Sequence, residues 1–187
     1  GHHSLDVPVI DLFYDSKIVC NRFVSKLWRR ILPVNNFFRL VANANAYFPG
    51  GEKHNYDIAD DFDRYGCIDG SISPWVFTQK ESLNGHRFLD SLGIRHDDSI
   101  VLVHARTNEY LDQQFPSIDW SRHYHRNSDI NSFIEAGEAL TKNGCYVFRM
   151  GAIVNKPLEC ENPRIIDYAT HHRTEFLDIF LAQKCLF

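Results

Sequence analysis

One hydrophobic segment, residues 99–105 (SIVLVHA), constrains the fold of this chain more than any other feature. It is almost continuously apolar, with Asp97 and Asp98 before it and polar residues after it. Strands covered on both faces of a parallel sheet have this composition, whereas strands with one exposed face alternate apolar and polar residues. The segment therefore predicts a strand that is buried on both faces.

The segments around this strand predict alternating helices and strands. Residues 78–81 (TQKE) form a capping box, with Thr78 at the N-cap, and the helix that follows is predicted to end at Gly93. The other predicted elements are a helix capped by residues 128–129, strands at 145–149 and 164–168, a helix at 174–183 and a strand beginning at 185–187. This order predicts a Rossmann-like, doubly wound α/β fold with a parallel sheet over residues 77–187.

Residues 5–76 predict a mostly helical portion that contains a long irregular connection. The expected elements are a short strand at 7–14 (VPVIDLFY), a helix over 18–31 capped by Ser16, and a second helix over 35–47. Residues 50–74 are rich in Gly, Asp and Asn and predict the irregular connection, and loops of that length are often functional. Residues 1–4 (GHHS) have the sequence of a purification-tag remnant and are left out of the fold.

Charge and composition disfavour several classes of function. The net charge is −4, so the chain lacks the basic surface of a nucleic-acid-binding protein, and we expect no nucleic-acid partner. No apolar run approaches the roughly 20 residues that a transmembrane helix needs. The five cysteines are scattered without a CxxC pair, which indicates free thiols in a reducing cytoplasm.

Polar residues follow three of the predicted strands. His104 and Arg106 lie at the end of the first strand, Arg149 and Gly151 at the end of the second, and Asp167 at the end of the third, followed by Tyr168. Ligands of open parallel sheets bind beyond the carboxyl ends of the strands, and guanidinium groups bind phosphate in a bidentate manner. These residues predict an anion site, in which Gly151 would allow close approach of the backbone. The alternative is that each is a solvated, salt-bridged or core-edge residue.

A second polar cluster lies just before the helix predicted to begin at residues 128–129. His125, Arg126 and Asn127 either extend the anion site at the helix N-terminus or form an exposed loop with a cap. A zinc site built from the histidines at 104, 123, 125, 171 and 172 lacks the HExxH spacing of metalloproteases. We therefore predict no metal ligands.

Several short motifs from residue 77 to residue 187 occur in a specific order and spacing. They are FTQKE, LDSLGI, VLVHAR with EYLD, YHRNSDI, GCYVFRMG, IIDYA and LDIFLAQKCLF. In this order they resemble a bacterial family of glycosyltransferases found in surface-carbohydrate gene clusters. The VCNRF and LWRRILPV segments of the N-terminal portion fit that family more loosely.

A more distant resemblance is to fucosyltransferases with an H-x-R motif, here His104-Ala105-Arg106. It implies that Arg106 contacts the diphosphate of the sugar donor, with Arg149 as a second candidate. Those enzymes carry an aspartate soon after the arginine, whereas this chain continues with Thr107, Asn108 and Glu109. The family resemblance also implies a GT-B-like fold that is incomplete at the C-terminus, because a Ser/Gly-rich loop that completes the donor site would follow Phe187.

The expected function is transfer of a sugar from a nucleotide-sugar donor to an acceptor hydroxyl during bacterial surface-polysaccharide biosynthesis, in the cytoplasm or at the inner face of the membrane. The candidate general bases are His104, Glu109 and His125. The predicted donor-binding residues are Arg106, Tyr110, Arg126, Asn127, Arg149, Gly151, Asp167 and Tyr168. No cofactor or metal ion is predicted.

Two other functions fit the same residues. The first is a noncatalytic nucleotide-binding or carbohydrate-binding module, which would bind the same ligands without turnover. The second is a metal-dependent hydrolase that uses the histidines. The sequence predicts neither the donor base and sugar nor the acceptor, the stereochemical outcome or the oligomeric state.

Overall fold

The computed structural model describes residues 10–55 and 75–186. The chain divides into two compact units, Gly1–Val76 and Phe77–Phe187. We describe each unit by itself.

Two α-helices and a short 3-10 helix make up the described part of the N-terminal unit. They are α1 (Arg22–Trp28), α2 (Phe38–Asn45) and the 3-10 helix Gly51–His54. Helix α1 begins after Asn21, whose side chain accepts a hydrogen bond from the Val24 N–H at 3.0 Å. The helix expected to begin after Ser16 is therefore shorter than predicted, because Asn21 supplies the cap.

The predicted strand at 7–14 is wrong for the residues that the structure describes there. Residues 10–14 form a single bridge, between Phe13 and Val34. The Phe13 N–H donates to the Pro33 carbonyl, and the Asn35 N–H donates to the Phe13 carbonyl at 2.9 Å. β-branched and aromatic content alone does not make a strand, which also needs an extended partner of several residues. Residues 7–9 and 56–74, which include most of the predicted connection, lie outside the described residues.

The C-terminal unit is an α/β structure built on an open parallel sheet. Its strands are β1 (Ile100–His104), β2 (Tyr146–Met150) and β3 (Ile165–Ile166), in the spatial order β1-β2-β3. Its α-helices are α3 (Gln79–Ser91), α4 (Glu109–Gln114), α5 (Ile134–Lys142), α6 (Tyr168–His171) and α7 (Glu175–Lys184), with 3-10 helices at Ser121–Arg126 and Ile130–Phe133. The prediction of an α/β unit with a parallel sheet is confirmed. Strand β3 is shorter than predicted, because Tyr168 already begins α6.

The predicted helix boundaries around α3 are confirmed in atomic detail. The Glu81 N–H donates to the Thr78 hydroxyl at 3.3 Å, and the Thr78 N–H donates to a Glu81 carboxylate oxygen at 3.0 Å. This is the capping box that the sequence predicts. Gly93 ends the helix with a φ of 74°, a left-handed conformation that favours glycine.

Helices cover both faces of the sheet. On one face, Ile100 and Phe148 pack in a cluster with Leu89 of α3 and with Phe180 and Leu181 of α7. On the other face α5 approaches so closely that a Cβ at Gly137 would lie 3.1 Å from the Ile165 side chain. Neighbouring residues Ile100 and Val101, which face opposite sides, are only 2% and 1% exposed. The prediction that this strand is buried on both faces is confirmed.

The chain after α7 returns to the edge of β1 that lies opposite β2. The Ser99 carbonyl accepts from the Tyr146 N–H on the β2 side, so the Ile100 carbonyl points to the other edge. The Leu186 N–H donates to that Ile100 carbonyl at 2.8 Å. Residues 185–186 are not assigned to a strand, but Leu186 makes one backbone hydrogen bond to β1 where the sequence predicts a strand at 185–187. Phe187 lies outside the described residues.

The packing of α7 against α3 generates a stability prediction. A Cβ added at Gly85 would lie 2.3 Å from the Phe180 ring, and Phe180 is only 1% exposed. Helix propensity alone would make Gly85→Ala stabilising by about 1 kcal/mol. We expect instead that Gly85→Ala lowers the free energy of unfolding by about 1–3 kcal/mol, because the added methyl group would overlap the buried Phe180 ring. Urea unfolding measures this difference, with Asn84→Ala at the exposed neighbouring position as the control. Equal stability of the two variants would contradict the close approach.

Candidate functional site

The carboxyl ends of the strands meet at one edge of the sheet. His104, the last residue of β1, lies opposite Met150, the last residue of β2, and Ile166 of β3 lies opposite Phe148. The connections that leave the three strands therefore begin side by side, as the sequence predicts. The loop before α5 joins them, because the Ser128 N–H donates to the Arg106 carbonyl at 3.0 Å.

Arg106 is a half-buried cation of this edge that the fold leaves available. It follows β1 directly and is half-buried. Its guanidinium makes no hydrogen bond or ion pair with any residue in the described part of the chain. A half-buried guanidinium without a partner is suited to an anionic ligand, because it presents a planar set of donors that fits phosphate oxygens. His104, two residues earlier, is exposed at the strand end.

Arg149 and Asp167, both predicted to bind the donor, instead bind each other. Arg149 donates to an Asp167 carboxylate oxygen at 2.9 Å, and the two side chains are only 5% and 9% exposed. Arg149 also donates to the Thr170 hydroxyl and to the Lys156 carbonyl, both at 3.2 Å. The second Asp167 oxygen accepts from the Leu158 N–H at 2.8 Å. This network fastens the segment after β2 to the end of β3, so the geometry gives both residues a structural role.

The same network sets the ionisation of Asp167. Burial by itself would raise the pKa of Asp167, but hydrogen bonds from Leu158, Thr170 and Arg149 outweigh it, together with the charge of Arg149. The pKa of Asp167 is therefore held below its ordinary value of 3.8. The ionised carboxylate is the form that the fold requires, because it neutralises a buried guanidinium.

Tyr168 lies in the core and not at a surface open to a ligand. Its side chain is fully buried, and its hydroxyl donates to Asp178 at 2.8 Å and accepts from the Thr174 N–H at 3.1 Å. Burial raises the pKa of Tyr168 above its ordinary value, and the Asp178 carboxylate adds to the effect. The structure therefore corrects the predicted role of this residue: Tyr168 anchors the start of α7.

Gly151 approaches its own chain closely. A Cβ at this position would lie 2.7 Å from Val154 Cγ1 and 3.5 Å from Ala169 Cβ. These two side chains fill the space that a Cβ would need, and the predicted approach of the Gly151 backbone to a ligand stays a prediction. Gly151 therefore serves packing of the segment that follows β2.

The second polar cluster is exposed and lies beside Arg106. His125 and Arg126 are on the exposed 3-10 helix Ser121–Arg126, and Asn127 follows it. The next helical segment is capped by Asp129, which accepts from the Asn131 N–H at 3.1 Å and pairs with Lys156. A carboxylate already occupies that helix start. Arg126 and Asn127 are thus near the Arg106 backbone through Ser128, and their predicted contact with the donor stays a prediction.

Asn108 belongs to the polar residues that follow β1 in the sequence, which predicts no role for it, yet it is the most informative polar residue at this edge. Asn108 is only 5% exposed, and neither its amide nitrogen nor its amide oxygen has a hydrogen-bond partner in the described part of the chain. The Oε2 atom of Glu109 is also buried without a partner. Tyr110 follows, half-buried on the first turn of α4. An Asn at a helix start usually caps the helix. Nothing in the sequence therefore distinguishes a ligand-binding Asn108 from one that only caps α4.

Within residues 10–55 and 75–186, no three His, Cys, Asp or Glu side chains are grouped as a metal ion would require. None of the helices described there has the length and apolar composition to cross a membrane.

Comparisons with known proteins gave no relative for this chain. No protein-family model matches it, and neither curated proteins nor solved structures show a significant similarity.

The Arg149–Asp167 pair generates a pH-dependent prediction. We expect Asp167→Asn to lower the free energy of unfolding at pH 7 by about 3 kcal/mol, because Arg149 is left buried without a counter-charge. The pKa of Asp167 is lower in the folded state than in the unfolded chain. Its carboxylate therefore contributes fully to folding stability above pH 3.8, and this contribution is lost as the pH falls through the lower folded-state pKa. The difference between wild type and variant should therefore shrink below about pH 4.

Chemical denaturation at a series of pH values measures this difference. The exposed pair of Asp129 and Lys156 supplies a matched control, since Asp129→Asn should change stability little at any pH. A loss for Asp167→Asn that is no larger than that of the control would show that the buried pair does not stabilise the fold.

Proposed function

We propose that this protein is a glycosyltransferase that moves a sugar from a nucleotide-sugar donor to an acceptor hydroxyl in bacterial surface-polysaccharide biosynthesis, on the cytoplasmic side of the membrane. In this proposal Phe77–Phe187 is a Rossmann-like, GT-B-type portion that binds the donor. The observation that carries the proposal is the half-buried guanidinium of Arg106, which has no partner among the described residues at the carboxyl edge of β1.

The topology around β1 supports this position for a ligand. Strand β2 lies on one edge of β1, and the backbone at Leu186 bonds to the other edge at Ile100. The connection from β1 to β2 runs through α5 on one face of the sheet, whereas the chain reaches the Leu186 edge through α7 on the other face. Open α/β sheets bind their ligands at such a switch point, outside the carboxyl ends of the strands.

Arg106 would bind the diphosphate of the donor. Sugar transfer breaks the bond between the anomeric carbon and a phosphate oxygen, and the bonding electrons leave with the nucleoside diphosphate. Charge therefore grows on the phosphate in the transition state, where a fixed guanidinium stabilises it more than in the ground state. The proposal assigns this role to Arg106 without a metal ion.

The other half of the reaction occurs at the acceptor. The acceptor oxygen forms a bond to the anomeric carbon, and its proton passes to a general base. His104 and Glu109 lie on either side of Arg106 in the sequence, and His125 lies on the exposed 3-10 helix nearby. All three remain candidates, because each is an imidazole or a carboxylate at this edge.

A noncatalytic binding module is the second candidate, and one observation favours it. Arg149, Asp167 and Tyr168 are occupied by internal contacts, so fewer polar groups are available for catalysis than the sequence suggests. A binding module would keep the Arg106 site but would not cleave the donor. Release of nucleoside diphosphate from the bound donor separates the two functions.

We predict that Arg106→Ala weakens binding of a nucleoside diphosphate about 10-fold to 100-fold. A hydrogen bond to a charged group contributes about 1.5–3 kcal/mol, which corresponds to this range. The shift in unfolding temperature on addition of a panel of nucleoside diphosphates and nucleotide sugars reports the affinity. The control is Arg87→Ala, which removes an exposed arginine of α3 in the same unit.

Turnover provides the second readout of the same variant. In a transferase, Arg106→Ala should lower the rate of diphosphate release by about 10²–10³-fold. Unchanged binding and unchanged release in Arg106→Ala would refute the proposed site. Binding that depends on Arg106 without any release of diphosphate would favour the noncatalytic module.

A further inference from the structure

Two consecutive residues after Arg106 keep buried polar atoms unpaired. The side-chain Nδ2 and Oδ1 atoms of Asn108 and the Oε2 atom of Glu109 all lack a hydrogen-bond partner among residues 10–55 and 75–186. A buried polar atom that loses its hydrogen bonds to water without gaining a partner destabilises the folded state. Buried polar side-chain atoms are nearly always paired in folded proteins, so three unpaired atoms on adjacent residues require an explanation.

The fold itself does not use the Asn108 side chain. Asn108 occupies the N-cap position of α4 but makes no side-chain cap bond. Its backbone carbonyl accepts from the Asp112 N–H at 2.9 Å, and any residue would supply that contact. By contrast, Asn162 uses both ends of its amide: it donates to Glu138 and Thr141 and accepts from the Arg164 N–H. The unpaired amide of Asn108 is therefore available for a ligand.

The donor or acceptor character of the three atoms indicates which class of ligand could pair with all of them. Nδ2 is a donor, whereas Oδ1 of Asn108 and Oε2 of Glu109 are acceptors. A phosphate group offers only acceptor oxygens and would leave both oxygens unpaired, and a metal ion would leave Nδ2 unpaired. A hydroxyl both donates and accepts, so two neighbouring hydroxyls can donate to the two oxygens and accept from the two N–H groups of Nδ2.

We propose that Asn108 and Glu109 bind the vicinal hydroxyls of a sugar ring whose attached phosphate lies at Arg106. This inference rests on the proposed function and adds to it the recognition of the sugar. Asn108 follows Arg106 by two residues, so their backbones are at most about 7 Å apart, within the span of a sugar phosphate. The diol belongs either to the ribose of the nucleotide or to the sugar that is transferred.

Because the three atoms are buried, a ligand reaches them only after a local movement of the chain at the start of α4. None of the six residues of this helix is fully buried. Segments that bury little apolar surface open at a low free-energy cost. A ligand that pairs the three polar atoms also removes their desolvation penalty, which offsets the cost of the movement.

The test combines Asn108→Leu with ligands that possess or lack the diol. The measurement is the unfolding temperature of the protein alone and with a nucleoside diphosphate, its 2′,3′-dideoxy analogue, a nucleotide sugar, its deoxy-sugar analogue and the free sugar. Without ligand, Asn108→Leu should be as stable as wild type or more stable, because it removes an unpaired polar group. Asn162→Leu, the matched control, should lose stability because its amide is fully paired.

With ligand, we expect wild type to bind the diol-containing member of a pair at least ten-fold more tightly. Asn108→Leu should lose this preference while it retains its affinity for the deoxy member. Preference within the nucleoside diphosphate pair identifies the ribose as the source, and preference within the nucleotide-sugar pair identifies the transferred sugar.

Three outcomes would overturn the inference. Asn108→Leu could be as unstable as Asn162→Leu, wild type could show no preference for diols, or the preference could survive in Asn108→Leu. The proposed function fails separately, when Arg106→Ala leaves phosphate binding intact. Loss of free-sugar binding in Asn108→Leu would then still support the diol site.

Discussion

The buried ion pair of Arg149 and Asp167 holds together the sheet edge on which the proposed site depends. It joins the last residues of β2 to the residue after β3, and the carbonyl of Lys156 and the N–H of Leu158 bind to the same pair. A buried guanidinium is costly unless its charge and donors are matched, so this segment has a single favourable arrangement. The connections that surround Arg106 begin from this fixed edge.

Arginine residues thus have two different roles at the same edge of the sheet. Arg149 is only 4% exposed and its donors bind internal partners, whereas Arg106 is half-buried without a partner among the described residues. The same contrast holds for amides, since Asn162 is fully bonded and Asn108 is not. Unmatched polar groups cost stability, which is why proteins usually retain them where a ligand completes their bonding. Both unmatched residues follow β1, and both proposals place the ligand there.

Local chemistry determined the helix boundaries and the class of the fold. The capping box at Thr78, the left-handed Gly93 and the largely apolar run at 99–105 depend on interactions within a few residues, so the sequence predicts them. The predicted strand at 7–14 was wrong over its described residues, because a strand depends on a distant partner that local composition does not encode. The length of β3 was overestimated for a similar reason, since Asp167 turns toward Arg149 before the ladder continues.

The sequence by itself determined which residues follow the strands and therefore which polar groups gather at one edge of a parallel sheet. It did not determine which of them bind each other. The tertiary structure decides this, because Arg149 on β2 lies within hydrogen-bond distance of Asp167, whereas Arg106, two residues beyond β1, has no partner among the described residues. The same holds for Asn108, whose unpaired amide is visible only once the chain around it is folded. Hydrogen bonds between residues far apart in the sequence, and the burial that accompanies them, decide which polar groups are paired and which are not.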